Sequence, residues 1–179
     1  MATTDNAHLI DPSFGEFLIT AGICAVLVVF TVAVFYETMR KVWQRLNQIQ
    51  HRPRLAIHLG VLAVFFCHTV CVWMYATVYW LLVEVMEFGS LQGQFEPGYL
   101  LSYVYFSVIT YSSVGYGDIF ATGPIRIMTG VEAVNGLILI GWSTTYTYFA
   151  AERYMAHERA LLAREARQEK ERGEEEKPS

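Results

Sequence analysis

The sequence has few of the features that a secreted disulfide-rich protein or a soluble globular protein would need. Only three of the 179 residues are cysteine, and all three fall inside apolar stretches, so a disulfide framework is not expected. Charged residues make up 17% of the chain, whereas hydrophobic residues make up 54%. Residues 84–124 contain no lysine or arginine at all. This composition excludes an ordinary soluble domain, indicates a membrane protein, and suggests no nucleic-acid partner.

Charged residues are also absent or almost absent from three long apolar blocks. Residues 17–36 contain no charged side chain, residues 55–83 contain none apart from two histidines, and residues 127–151 contain a single one, Glu132. About 20 apolar residues suffice for a helix to cross the hydrocarbon core, so three spanning helices are predicted. The first block is not a convincing signal peptide, because no basic region precedes it and no small-residue cleavage pattern follows it. It has no ladder of arginines, which argues against a voltage sensor.

A shorter apolar piece lies between the second and third blocks, bounded by Pro97-Gly98 and Gly123-Pro124. Non-helical backbone at membrane depth is tolerated only where protein or a water-filled path shields it, so a re-entrant loop is predicted here. It begins with a helix over about residues 99–111. In the stretch 113–118, Ser-Val-Gly-Tyr-Gly-Asp, glycine occupies every second position. Because glycine tolerates positive φ, such a strand can turn successive carbonyl groups toward one side.

This hexapeptide resembles the selectivity-filter signature of potassium channels, whose usual form is Thr-Val-Gly-Tyr-Gly-Asp, and the resemblance covers about residues 55–150. It implies an all-α integral membrane protein with three transmembrane helices plus a re-entrant pore helix and filter loop, assembled as a homotetramer around a central pore. It further implies a K⁺-selective channel and not an enzyme, with K⁺ in the filter and no organic cofactor. Backbone oxygens replace the hydration shell of the ion in that family. The expected ion-binding residues are Ser113, Val114, Gly115, Tyr116 and Gly117.

The same resemblance implies a set of side chains that support the filter. Tyr105 falls at the position whose side chain bonds the aspartate after the filter, here Asp118, and Phe106 belongs to the aromatic cuff on the pore helix. Some relatives carry a glutamate where this chain has Ile109, so that carboxyl pair is absent. Ser113 stands where threonine is usual, keeps the hydroxyl and lacks the methyl group that stiffens the rotamer, so a softer innermost site is expected.

Three further expectations concern the third span. Glu132 is its only carboxylate, and intramembrane carboxylates usually face protein, so we expect hydrogen bonds to the pore helix at Ser107, Thr110 or Tyr111. The resemblance places Gly136 at the family's gating hinge, and Gly141 follows it. Close packing through small residues is the alternative role of both glycines. The remaining two candidate residues of this span, Asn135 and Thr144, are expected to line the cavity.

Basic residues predict the orientation of a multi-pass protein in the plasma (inner) membrane. None precedes the first span, whereas lysines and arginines cluster after the first and third spans, so the N-terminus should be outside and the C-terminus cytoplasmic. We divide the chain into residues 1–54, a pore domain at residues 55–150, and a charged tail at residues 151–179 that is helical to about residue 168 and disordered after Gly173. Within the first part, residues 39–54 form an amphipathic segment that resembles an interfacial helix bound to anionic lipid. An ordinary connecting helix is the alternative.

Other readings stay open. A weakly selective cation channel is the alternative function. Residues 115–118 also fit the Gly-x-Gly-Asp motif of intramembrane aspartyl proteases, but those enzymes need a second aspartate in a neighbouring span. Cys67, His68 and Cys71 offer metal-type ligands or behave as small apolar residues. Glu84 and the two acidic residues that follow it either concentrate cations at the entrance or are solvated loop residues. The sequence indicates no gating stimulus.

Overall fold

The structure, a computed structural model, describes residues 14–48 and 53–175. In this part of the chain, three helices are long and apolar enough to cross a membrane, at Phe14–Leu46, Leu55–Val85 and Ile125–Lys170. The elements in chain order are α1 (Phe14–Gln48), α2 (Pro53–Trp80), a π-helical turn (Leu81–Val85), β1 (Ser90–Gly93), α3 (Leu100–Tyr111), β2 (Ile119–Thr122) and α4 (Ile125–Glu175). The predicted architecture of three spanning helices and one short helix before the third is confirmed.

The helices pack around α2, which contacts α1, α3 and α4. Large aromatic side chains fill the centre, among them Phe35, Tyr75, Tyr79 and Tyr103, each with no exposed surface. Buried tyrosine carries a polar hydroxyl that needs a partner at this depth. The core of the chain is therefore aromatic and also hydrogen-bonded, and this combination determines how the helices meet.

A short antiparallel sheet, which the sequence did not predict, joins the segments on either side of α3. β1 pairs with β2 in the register Ser90↔Thr122 to Gly93↔Ile119. The backbone at Gly93 has a φ of 113°, and a Cβ there would collide with the carbonyl oxygen of Asp118. The amide of Gln94 donates to the same oxygen at 3.0 Å. The sheet thus attaches the end of the 113–118 loop to the segment that follows α2.

The predicted surface helix at residues 39–54 is wrong for its first part, because residues 39–48 continue α1 without a break. Met39 is buried, and the ring of Trp43 packs edge-on against Tyr146 with centroids 5.4 Å apart. The apolar side of this segment therefore faces protein, since α2 and α4 lie beside it. Residues 49–52 lie outside the described part of the chain.

The charged tail is helical over a longer stretch than expected. α4 runs to Glu175, so the prediction of disorder directly after Gly173 is wrong for the next two residues. Residues 176–179 lie outside the described part. No second domain occurs in the described tail, whose side chains are mostly exposed.

Candidate functional site

The backbone of the loop after α3 alternates in the way that its glycine spacing predicts. Positive φ angles occur at Ser113 (58°), Gly115 (49°) and Gly117 (79°), with Val114 and Tyr116 between them outside this region. A residue with a side chain pays about 1–2 kcal/mol for the left-handed conformation, so Ser113 must be held there by its surroundings. Its amide donates to the Thr110 carbonyl at 2.9 Å, and the amide of Gly115 donates to the Ile109 carbonyl at 3.0 Å. The end of α3 thus holds the start of the loop.

The loop begins at the C-terminal end of a helix. α3 ends at Tyr111, two residues before Ser113. The C-terminus of a helix carries a partial negative charge from its last carbonyl groups, and this charge favours a cation. The described geometry therefore combines a negative helix end with a backbone in which positive φ angles occur at every second residue.

The loop has little packing within one chain. Val114 is 53% exposed and Tyr116 is 72% exposed, although both are large apolar or aromatic residues. A single loop cannot surround an ion, because it contributes only one oxygen at each level.

The hydrogen bond expected between Tyr105 and Asp118 is present, with the Tyr105 hydroxyl donating to Oδ2 at 2.7 Å. This bond raises the pKa of the Tyr105 phenol, which therefore stays a donor at neutral pH. The other oxygen, Oδ1, is buried and has no partner among the described residues. Phe106, expected in the cuff, packs edge-on against Tyr79 with centroids 5.2 Å apart, and its support of the loop stays a prediction.

Asp118 lies between the loop and β2, outside every helix. The other aspartates of the sequence, Asp5 and Asp11, precede the described residues. An intramembrane aspartyl protease would need a second aspartate in a neighbouring helix. The described part of the chain contains no aspartate other than Asp118.

Glu132 is fully buried and bonds to α3 through Ser107, which is one of its three expected partners. Ser107 Oγ donates to Glu132 Oε1 at 2.5 Å, and Tyr79 donates to Oε2 at 2.7 Å. Ser107 Oγ also lies 3.0 Å from the carbonyl oxygen of Val72. Thus α2, α3 and α4 share one polar cluster, in which Glu132 contacts the middle of α3 and not Thr110 or Tyr111. Sequence reasoning did not identify Tyr79 as a partner of Glu132.

A second carboxylate holds the start of α3. Glu84 Oε1 accepts hydrogen bonds from the amide of Gly98 at 2.7 Å and from the Tyr103 hydroxyl at 2.6 Å. Burial, together with the bond to Glu84, raises the pKa of Tyr103, so this phenol also remains protonated. Glu84 is therefore a structural acceptor in the segment before α3. The sequence suggested only a cation-attracting or solvated role.

His68 connects the end of α3 to α4. Its Nδ1 lies 2.8 Å from the Tyr111 hydroxyl, and its Nε2 lies 3.1 Å from Ser143 Oγ. Since Ser143 donates to the Ile140 carbonyl, it accepts from Nε2–H, and Nδ1 then accepts from Tyr111. Within residues 14–48 and 53–175, no group of three or more histidine, cysteine, aspartate or glutamate side chains is placed to hold a metal ion.

The expectation that Asn135 lines a cavity is wrong in this structure. Its side-chain amide is buried and donates to Thr31 Oγ1 at 2.8 Å and to the Tyr75 hydroxyl at 2.9 Å, so it points toward α1 and α2. Thr144 is exposed in the single chain and donates to the Ile140 carbonyl, so its cavity role stays a prediction.

The two candidate hinge glycines have different surroundings. A Cβ at Gly136 would collide with the carbonyl oxygen of Tyr111, whereas a Cβ at Gly141 would meet nothing within 4 Å. Close packing therefore gives a sufficient structural reason for glycine at 136. The hinge role of both residues stays a prediction, because α4 is one continuous helix through both.

Comparison with known proteins gives one finding of similarity. A family model described as "Ion channel" matches residues 67–151, from the second half of α2 through α3 and the loop into α4. No curated protein matches, and no solved structure matches. The match leaves out α1 entirely.

Proposed function

Because this chain belongs, over residues 67–151, to the ion-channel pore-domain family, we propose that it forms a K⁺-selective homotetrameric channel in the plasma (inner) membrane. The observation that carries the proposal is the alternation of positive φ at Ser113, Gly115 and Gly117, directly after the C-terminus of α3. A backbone of this kind can present successive carbonyl oxygens to one axis. Rings of such oxygens replace the hydration shell of a permeating K⁺ ion.

The tetrameric state is supported by the loop itself. One filter loop per chain needs several copies to enclose an axis, and the family pattern of one pore loop per subunit corresponds to four. The exposed Val114 and Tyr116 side chains leave apolar surface that such copies would cover. In the complete ring, carbonyl groups of residues 113–116 and the hydroxyl of Ser113 bind the ions.

The charge distribution supports an orientation with the loop entering from outside. Basic residues follow the first and third spans, and the segment between α2 and α4 has none, so α1 begins outside and α4 ends in the cytoplasm. In the same arrangement Arg40, Lys41 and Arg45 lie at the cytoplasmic end of α1 and are exposed. We retain anionic lipid as the partner of this basic end of the helix.

Ion flux through purified protein in liposomes tests the proposal. We expect uptake of K⁺ driven by a K⁺ gradient, and bilayer recordings whose reversal potential follows K⁺ in mixed K⁺ and Na⁺. Gly117→Ala should abolish selective flux, because a side chain there strains the left-handed backbone of the loop that would bind the ions. The matched control is Gly98→Ala, which has a similar φ of 74° and open space around it, and which should retain flux.

Two outcomes contradict the proposal. Near-equal permeability for K⁺ and Na⁺ would establish the weakly selective alternative instead. Failure of the wild-type protein to carry any cation, in vesicles that contain intact tetramers, would exclude passive conduction through this loop.

A further inference from the structure

The helix that the family match leaves out, α1, contacts α4 at three levels. Thr31 Oγ1 accepts a hydrogen bond from Asn135 Nδ2 at 2.8 Å. Further along, the ring of Phe35 lies 5.7 Å from that of Trp142, and Trp43 packs against Tyr146 at 5.4 Å. Positions 31, 35 and 43 share one face of α1, since they are separated by multiples of four residues. α1 thus follows α4 from residue 135 to residue 146.

In the contact at Thr31, the hydroxyl group of Thr31 and both amide hydrogens of Asn135 form hydrogen bonds. The Thr31 hydroxyl donates to the Val28 carbonyl at 2.9 Å and accepts from Asn135, whose second amide hydrogen goes to the Tyr75 hydroxyl at 2.9 Å. Thr31 has no exposed surface, and Asn135 is almost completely buried. Removing the acceptor leaves a buried N–H without a partner, which costs more than the bond itself contributes.

These contacts occur on both sides of the segment of α4 from Gly136 to Gly141. Asn135 directly precedes Gly136, and Trp142 directly follows Gly141. Gly136 also lies against the carbonyl oxygen of Tyr111, at the end of α3. A bend at either glycine would move the residues that α1 holds. α1 therefore restrains the part of α4 in which a pore-lining helix would have to move.

We propose that α1 is a positioning helix for the gate: through Thr31, Phe35 and Trp43 it holds α4 in its continuous conformation and so lowers the open probability of the pore. This inference rests on the proposed channel function, because only a conducting pore has an open probability. It assigns a role to a helix that lies outside the family match. Thr31 acts through Asn135 and does not touch the ion path.

Single-channel recording of three variants tests the proposal. Thr31→Val removes the acceptor while keeping the shape, and we expect the ratio of open to closed time to rise about fivefold, the factor that corresponds to one buried hydrogen bond. Thr31→Ser keeps the hydroxyl and should behave as wild type. The matched control is Thr20→Val, since Thr20 is equally buried on α1 but bonds only within it, to the Glu16 carbonyl. Unitary conductance and selectivity should be unchanged in all three, because the filter is not altered.

The result that overturns the proposal is an open-to-closed ratio for Thr31→Val that equals that of Thr20→Val or falls below wild type. A wild-type protein that carries no K⁺ refutes the channel function instead. In that case a double-mutant cycle of Thr31→Val and Asn135→Leu, read as the thermal unfolding midpoint in detergent, judges the coupling by itself. Additive shifts would refute a restraining contact, and non-additive shifts would support it.

Discussion

The two sides of α3 differ in their burial and in their hydrogen bonds within the chain. On the side that faces the rest of the chain, Tyr103, Ser107 and Tyr111 are buried, and each hydroxyl bonds to a residue of α2, the turn after it, or α4. On the other side Leu101, Tyr105 and Val108 are 49%, 40% and 46% exposed.

This difference shows which side of α3 is positioned by contacts within the chain. The chain holds α3 with three polar contacts at its start, middle and end. The other side of α3 and the loop after it are more exposed in the single chain. Changes on the buried side should therefore affect folding of each subunit, whereas changes on the exposed side should affect the assembled filter.

The largest effect is expected at Glu132. Glu132→Leu removes the acceptor of both Ser107 and Tyr79 and should lower the free energy of unfolding by about 2–4 kcal/mol, because the buried Tyr79 hydroxyl loses its partner and Ser107 keeps only the Val72 carbonyl. The measurement is the thermal unfolding of purified protein in detergent. Glu132→Gln, which keeps polar atoms of the same shape, should lose less, and Glu158→Leu in the exposed tail should lose almost nothing. Wild-type stability of Glu132→Leu would show that the buried cluster does not hold α3.

A smaller effect is expected where α4 meets the end of α3. Gly136→Ala should destabilise the protein by about 1–3 kcal/mol despite the better helix propensity of alanine, because the Cβ meets the Tyr111 carbonyl. Gly141→Ala is the matched change without a neighbour and should be neutral or stabilising by up to about 1 kcal/mol. Chemical unfolding of both variants gives the comparison. Equal stability of the two would mean that packing does not require glycine at 136. A loss of channel opening in Gly141→Ala alone would support the hinge.

The smallest effect on folding is expected on the exposed side. Tyr105→Phe removes the hydroxyl that bonds Asp118 and should change subunit stability by less than about 1 kcal/mol, since the pair is exposed. It should instead shorten sustained K⁺ currents, because Asp118 at the end of the loop loses its partner. The measurement is current decay under constant conditions, with Tyr99→Phe as the exposed control on the same segment. An unchanged time course would mean that the Tyr105–Asp118 bond does not stabilise the filter.

Much of the fold could be predicted because the signals were local. Long uncharged blocks predict spanning helices, and alternate glycines in residues 113–118 predict alternating φ, since both depend only on the neighbouring sequence. The pairing of Tyr105 with Asp118 came from the family resemblance. By contrast, the partners of Tyr79, His68 and Glu84 are separated from them in the chain by at least 14 residues. No local pattern in the sequence indicates such contacts.

The errors have the same physical origin. Residues 39–48 have an amphipathic pattern, and such a pattern does not distinguish a membrane surface from a protein partner; α2 and α4 proved to be that partner. Asn135 was expected to line the cavity, whereas only the rotation of α4 about its axis decides which way the amide points. That rotation depends on the packing of Gly136 against Tyr111.

By itself, the sequence determined that this protein crosses the membrane three times and carries a glycine-spaced loop between the second and third crossings, because hydrophobic length and the φ range of glycine are properties of the chain. Only the tertiary structure decided which buried polar groups meet, that α1 packs along α4 beside Gly136 and Gly141, and which side of α3 is exposed in the single chain. Those outcomes depend on the rotation of each helix and on contacts between residues that are distant in the chain. A shift of one residue along a helix would turn a side chain away from its partner.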